Sequence, residues 1–544
     1  MSKINLLALG GLDENGKNCY IVEIDNDLFI FDCGLKYATE NLFGIDYVIP
    51  DFSYLVKNKD RIKGLFLTHG HLENIGAVED LLRVIPNIPI YATKFTKFVL
   101  TNFGVDDNLV TEISPYKKIS FGEISVFPIN VNHSTPGAVM FVINTKEGAI
   151  CYTGDFIIDP TMMGAYEMDL GRIAYVGKQG VLALLCESSF SEKIGHTSPS
   201  HRLTSFYKDQ FNRHSKRMIC LLLPTHLYTM QEIFNAAADM HRKIVIMGKF
   251  LQNIVSMAKQ EGYLTFNEEL LGDLNNVEDE NAILLVSENK ENPYGGINKI
   301  INNYDKYIKL KATDAIMFAE PHYPSSEKAL VKVENELAML GCKIINIPKT
   351  KNILLHASSE DLMLMINLLK PKYYIPVEGE YRYMVNNADL ALKLNIPAAN
   401  ILLKQNGDVI SFEEGVLQDN FEHIKVDDVL IDGNSTEDIG ELVVKDREML
   451  SESGIVLISA TISRKDKIVL VGPEVTTRGF IYVKDSGEML EEIKKICALI
   501  IDRNITPSYI EYNKIKNEIR EELGRYLYSE TECKPMIIAV IQEI

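Results

Sequence analysis

The sequence has no cysteine pair at metal-ribbon spacing, no apolar run long enough to cross a bilayer, no excess of positive charge and no tryptophan. The eight cysteines (Cys19, Cys33, Cys151, Cys186, Cys220, Cys342, Cys497, Cys533) are scattered, and several sit in apolar strand-like runs such as Phe31-Asp32-Cys33-Gly34. They read as small buried hydrophobes in a reducing compartment, which excludes a disulfide framework and a zinc ribbon. No apolar stretch approaches the roughly 18 residues that a membrane helix needs. The opening residues, Met1-Ser2-Lys3-Ile4-Asn5-Leu6, lack a charged lead-in, a long apolar core and a small-residue cleavage site. A cytoplasmic location without a membrane partner is therefore expected. Lysine and arginine number 56 against 75 acidic residues, a net charge of −19. That balance excludes indiscriminate binding of phosphate backbones over the whole surface and leaves room for a local basic channel. Internal repeats and low-complexity tracts are missing too. The lack of tryptophan excludes nothing.

What is present is the composition of a globular protein, 46% hydrophobic and 24% charged. A length of 544 residues predicts two to four domains. The chain is organised around Leu65-Phe66-Leu67-Thr68-His69-Gly70-His71-Leu72-Glu73-Asn74-Ile75-Gly76. An apolar run stops at Thr68, and two histidines follow at a spacing of two. At a strand end, side chains at i and i+2 point the same way. Gly70 between them is expected to let the backbone turn tightly enough for both imidazoles to reach one ion. After Asn74 the apolar positions Ile75, Val78, Leu81, Leu82 and Val84 take a helical spacing. The stretch reads as strand, metal loop, helix.

Upstream, residues 4–9 and 19–32 read as strands joined by glycine turns. Asp32 closes one of them, where it either orients a ligand histidine or caps a turn. Downstream come a short strand at 90–92, a helix near 94–102, and a β-rich segment at 118–131 leading to Asn132-His133-Ser134. A hairpin over 138–143 and 149–153 ends in Thr153-Gly154-Asp155-Phe156. His133 or Asp155 alone would read as structural. With His69 and His71 they make three imidazoles and one carboxylate at strand ends, a first shell suited to zinc or manganese. Past residue 196 the rhythm changes to alternating strand and helix, the mark of a parallel sheet. Residues 405–450 are polar with short strands, and 451–544 form a small α+β module.

These residues together resemble the bacterial ribonuclease J family, nucleases of the metallo-β-lactamase fold with an inserted β-CASP domain. The resemblance is carried by Thr68-His69-Gly70-His71, Asn132-His133-Ser134, Thr153-Gly154-Asp155-Phe156 and the run Lys372-Tyr373-Tyr374-Ile375-Pro376-Val377-Glu378-Gly379-Glu380-Tyr381-Arg382, and spans essentially the whole length. It implies an α/β architecture: a metallo-β-lactamase αββα sandwich, an inserted β-CASP α/β domain and a small α+β C-terminal domain. The expected division is 1–195 and 355–445 for the two parts of the lactamase domain, 196–354 for the insertion, and 446–544 for a linker and dimerisation-supporting domain.

The resemblance also implies RNA cleavage by two metal ions. The first is expected on His69, His71, His133 and Asp155 as zinc or manganese. The second, normally completed by an Asp and a His after the first histidine pair and by a late histidine, falls here on Glu73, Asn74 and Glu378. All three depart from the family pattern. A shell of Glu73, the shared Asp155 and Glu378 is mostly hard oxygen, so manganese or magnesium, weakly held or absent, is expected there. Asp155, His356 and Glu73 are the expected catalytic residues. Asn352, Ile353, Leu354, Leu355, His356 and Ser358 match the phosphate-gripping run, with the histidine kept and the flanking glycines lost. A histidine at an apolar strand end is otherwise usually structural. A glycine-rich phosphate loop is matched by Ser287-Glu288-Asn289-Lys290-Glu291-Asn292-Pro293, where acids replace the glycines. The family's Asp-containing run becomes Cys186-Glu187-Ser188-Ser189-Phe190.

This pattern is similar to the second, weakly active paralogue of the family. It implies a partner subunit of an active ribonuclease J in a hetero-oligomer, besides RNA and further copies of itself as partners. The alternative is an active manganese-dependent exo- and endoribonuclease, because two of the three changes keep a carboxylate. A lactamase-fold hydrolase of small esters is disfavoured by the insertion and the C-terminal module.

Overall fold

The structure is a computed structural model. It describes residues 2–38, 42, 44–287, 294–319, 327–348, 351, 356–419, 421–432, 441–480, 487–506 and 509–544. They form two units, one of residues 1–39 and 46–436, the other of 40–45 and 437–544. No described helix is long and apolar enough to cross a membrane.

The larger unit contains the expected sandwich. A nine-stranded sheet runs through Lys3–Gly10, Cys19–Ile24, Asp27–Phe31, Ile62–Phe66 and Ile90–Ala92, with Asp408–Glu413 returning beside the first strand. A six-stranded sheet runs through Tyr373–Val377, Val181–Glu187, Gly148–Tyr152, Val139–Thr145 and Ile124–Asn130. Their inner faces meet in one apolar layer of Leu6, Phe29, Phe31 and Phe66 against Phe141, Ile150, Tyr152 and Leu185. Phe31 stacks on Phe66 with ring centres 5.4 Å apart and meets Phe141 at 5.6 Å. Val181–Glu187 is buried at every position. Its neighbours on both sides are parallel and both of its faces are covered, so its sequence is a continuous apolar run instead of an alternating one. Helices Leu170–Gln179, Ser359–Leu369 and Tyr381–Lys393 cover the outer face of this sheet through Ile173, Val176, Leu362, Met365, Ile366 and Leu390.

The inserted segment builds a six-stranded, all-parallel sheet in the order Leu271–Gly272, Ile244–Ile246, Ile283–Ser287, Met218–Leu222, Ala315–Phe318, Lys343–Asn346. Helices on one of its faces share a continuous apolar cluster with the lactamase part: Tyr207, Ile233, Phe234, Leu251 and Ile254 belong to the same cluster as Leu65, Leu81, Phe95 and Val99. Arg217 is the largest fully buried side chain. Its guanidinium makes a bidentate pair with Asp314 (Nε to Oδ1 3.0 Å, Nη2 to Oδ2 2.7 Å) and donates further to the Val277 and Lys309 carbonyls.

The smaller unit is a three-stranded sheet, Ile468–Arg478, Ile455–Ser463, Met536–Glu543, under helices Gly487–Arg503 and Tyr512–Thr531. Both helices bury one stripe: Ile493, Cys497, Ile500 and Ile501 from the first, Ile515, Ile519, Leu523 and Leu527 from the second. Helix Glu441–Ser453 occupies part of the segment expected to hold only short strands. Its polar residues hid a short apolar register of which Val444 is buried.

Two stability measurements follow. Asp314→Ala strands a buried guanidinium and should cost about 3–5 kcal/mol in urea unfolding; a loss under 1 kcal/mol would contradict the pairing. His201, 1% exposed, lies with Nε2 3.2 Å from Asp159 Oδ2, and burial pushes its imidazole down to about 4. The unfolded chain then binds the extra proton between its ordinary 6.5 and about 4, so stability present above pH 6.5 is lost as pH falls through that window. His201→Gln should flatten that part of the unfolding free energy against pH, and an unchanged slope would exclude His201 as its source.

Candidate metal centre

Strand Ile62–Phe66 delivers the loop Thr68–His71 to the edge of the sandwich, and helix Leu72–Ile75 begins directly after it. The metal loop is therefore shorter than the apolar spacing suggested. Gly70 is not in the left-handed region, and a methyl group there would meet Val99 at an ordinary 3.4 Å, so the turn does not depend on it. The tight approach is elsewhere. A Cβ on Gly34 would fall 1.5 Å from the Glu73 carbonyl oxygen, so this glycine lets the segment after Asp32 pass the metal loop.

His69, His71 and His133 are 0–6% exposed. His71 Nδ1 lies 3.0 Å from His69 Nε2 and 3.1 Å from His133 Nε2, and Asp155 Oδ2 lies 3.5 Å from His69 Nε2. All four donor atoms fall within 4.8 Å of one another. Burial first, and then the neighbouring imidazoles, push all three histidines down, His69 to about 3 and the other two well below their usual value. They are neutral and offer lone pairs to one point. Asp155 is pushed upward by burial and then by the facing Glu378 and Glu187 carboxyls, and its Oδ1 has no hydrogen-bond partner. Three neutral imidazoles and a buried carboxylate oxygen aimed at one space fit a divalent cation.

Asp32, at φ +59°, holds this loop. Its carboxylate accepts from the Thr68 N–H (2.8 Å), the Thr68 hydroxyl (2.8 Å), the Tyr152 hydroxyl (2.8 Å) and the Asn74 amide (2.9 Å). Thr68 Oγ1 is also 3.0 Å from His69 Nδ1. With its proton given to Asp32, the hydroxyl accepts from His69 Nδ1–H, which leaves Nε2 as the donor to a metal. Of the two roles open to Asp32, it orients a ligand, at one remove. Burial raises its carboxyl to about 6.

The second side of the centre differs. Asn74 turns its amide to Asp32, and its Oδ1 is buried without a partner. Glu73, half-buried, lies outside both groups of converging donors among the described residues and lines a cavity of about 300 Å³ with Tyr37, Phe103, Thr225 and Phe250. Glu378 follows strand Tyr373–Val377 at φ +55°, is 3% exposed and faces Asp155, with its Oε2 unpartnered. Burial raises its carboxyl as well.

A second group joins Asp155 to Glu187 and His356. His356 Nδ1 is 2.6 Å from Glu187 Oε2, while Glu187 Oε1 accepts from the Phe156 (2.8 Å) and Ala357 (3.2 Å) N–H groups. Burial lowers His356 and raises Glu187. The sequence had marked Glu187 only as a changed residue; its partnership with His356 spans 169 positions. His226 was not foreseen either: its ring sits 4.5 Å from that of His71. The available signal was Pro224-Thr225-His226 at the end of strand Met218–Leu222. Ser358 is fully buried, its hydroxyl 2.9 Å from Thr197 Oγ1 and its N–H donating to Asp361 at the start of helix Ser359–Leu369. Asn352, Ile353, Leu354 and Leu355, and 288–293 of the expected phosphate loop, lie outside the described residues.

Comparison with known proteins bears on this geometry. Residues 12–178 match the metallo-beta-lactamase superfamily, 215–337 the ribonuclease J beta-CASP domain, and 442–544 the ribonuclease J C-terminal domain. The chain is 34% identical to Ribonuclease J2 of Bacillus subtilis (strain 168), over 99% of both chains. It is 33% identical to Ribonuclease J 2 of Staphylococcus epidermidis and 32% to that of Staphylococcus aureus (strain NCTC 8325 / PS 47), each over 99% of this chain and 98% of the relative. A crystal structure of a protein of unknown function from Enterococcus faecalis V583 shares the fold over 75% of this chain and all of its own, with a TM-score of 0.52 at 17% identity. From its matching domains and its full-length similarity to these relatives, the chain belongs to the bacterial ribonuclease J family, paralogue type J2.

Proposed function

We propose that this chain is a ribonuclease J-like protein of RNA processing and decay, with weak nuclease activity of its own, that acts as partner subunit of an active ribonuclease J. The observation that carries this reading is the asymmetry of the centre. The four donors of the first side converge, whereas on the second side Asn74 is committed to Asp32 and Glu73 lies apart. Zinc or manganese is the ion for the first side. Manganese or magnesium, weakly held, is the ion for the oxygen-rich remainder around Asp155 and Glu378. A bound divalent cation would polarise a phosphodiester oxygen and acidify a water. The chain's own residues then have separate tasks. Asp155 and the three imidazoles would hold that cation. Glu187 holds His356 through Nδ1 and leaves Nε2 directed away from that contact, available to protonate a leaving oxygen. RNA contact is confined to the cleft because the surface is acidic overall. The smaller unit supports association with further copies or with the active paralogue.

One observation favours a manganese-dependent ribonuclease active in its own right: the His356–Glu187 pair is intact and adjoins Asp155.

An assay on 5′-monophosphorylated RNA with Mn²⁺ separates the two. The expected result is turnover on the order of 10² or more below that of an active ribonuclease J, as the loss of one of two cooperating ions implies, abolished in the His69→Ala/His71→Ala double variant. Co-purification with an active ribonuclease J should survive that variant. Turnover equal to the active paralogue's would sink the partner reading. Metal analysis of the same sample should find about one tightly held ion per chain; two tightly held zinc ions would contradict the weakened second side.

A further inference from the structure

Lys17 and Lys36, on the segments that pass beside Glu73, both pair with Glu14 and Asp428. Lys193 has no carboxylate partner among the described residues, although the chain carries a net charge of −19. Its backbone is fixed at both ends: its N–H donates to the Phe190 carbonyl at 2.9 Å, and its own carbonyl accepts from the Ser359 N–H at 2.9 Å. The ammonium nitrogen rests 3.1 Å from the centre of the Phe190 ring, and that ring meets His356 edge-on at 5.1 Å. Lysine, phenyl and imidazole thus form a row that ends on the second donor group. The amine is partly buried, and burial pushes it down to about 8. A half-buried ammonium without a counter-ion is costly unless an anion arrives from outside the chain. Lys193 is itself only partly buried, between the exposed Glu192 and Ile194.

We propose that Lys193 is a phosphate-positioning residue, its ammonium taking a backbone phosphate of an RNA strand lying against His356, with no preference for base. This inference rests on the ribonuclease reading above. Phe190 orients the amine by a cation–π contact and holds it in register with the imidazole. A cation so placed contacts the phosphate only and adds affinity uniformly across sequences.

The test is equilibrium binding of the full-length, Mn²⁺-loaded chain to a fluorescent 5′-monophosphorylated phosphorothioate RNA over a range of salt. Lys193→Met should weaken binding roughly tenfold, the loss of one charge-assisted contact, and lower the slope of log affinity against log salt by about 0.7. Lys193→Arg should restore most of both. Turnover should fall through KM with kcat nearly unchanged. Affinity and slope unaltered in Lys193→Met would overturn the proposal, as would an Arg variant as weak as the Met one, which would assign the effect to packing. A second readout follows the wild-type chain itself. The NMR resonance of ¹³C-dimethylated Lys193, assigned by its loss in Lys193→Arg, should shift on adding the oligonucleotide; a resonance that stays put while RNA binds overturns the proposal. Wild-type chain without RNA affinity would overturn the ribonuclease reading together with this one.

Discussion

A buried carboxylate must be surrounded by donors or be expelled, and Asp32 is the point where that constraint organises the molecule. It receives hydrogen bonds from the first sheet's loop through Thr68, from the facing sheet through Tyr152, and from the first helical turn through Asn74. Those three contacts fix the two sheets and the metal loop relative to one another. His69 inherits its orientation from them through the Thr68 hydroxyl. The last of these donors, Asn74, also explains the asymmetry of the centre. An amide at that position serves the carboxylate and so supports the core.

Much of this was legible in the sequence because it is local. The i, i+2 spacing of His69 and His71, and the apolar strands ending at His133 and Asp155, identify donors one at a time. The αββα sandwich with its parallel-sheeted insertion and α+β module, expected from the change of rhythm and the family resemblance, is what the structure contains. The strand over 90–92 and the helix over 94–102 fall where the apolar spacing put them. What was not legible is pairing at long range. Nothing near Glu187 indicates that it holds a histidine 169 positions away, and nothing near Asn74 indicates that its amide faces residue 32. His226 reaches His71 only because the insertion folds back onto the lactamase part. Local rules also overvalued Gly70, whose place in a histidine pair suggested a turn that needs glycine; the close approach occurs at Gly34 instead.

The two sides of the centre obey different chemistry. On one side neutral nitrogens converge, and burial keeps protons off them so that their lone pairs are left for a metal. On the other, Asp155, Glu187 and Glu378 crowd together, and each is driven toward its protonated form by burial. A cation beside Asp155 would relieve that crowding, and His356 is the imidazole nearest to hand within it. The site therefore carries an electrostatic demand for positive charge on this side as well.

The apolar cluster that runs without a break from Leu65, Leu81 and Phe95 into Tyr207, Phe234 and Leu251 has a consequence for modularity. An inserted domain with its own closed core can be excised or exchanged between relatives as a cassette. This one cannot, since removing it would expose one wall of a shared interior on each side of the cut. The lactamase part and the insertion are in this sense a single inheritable block.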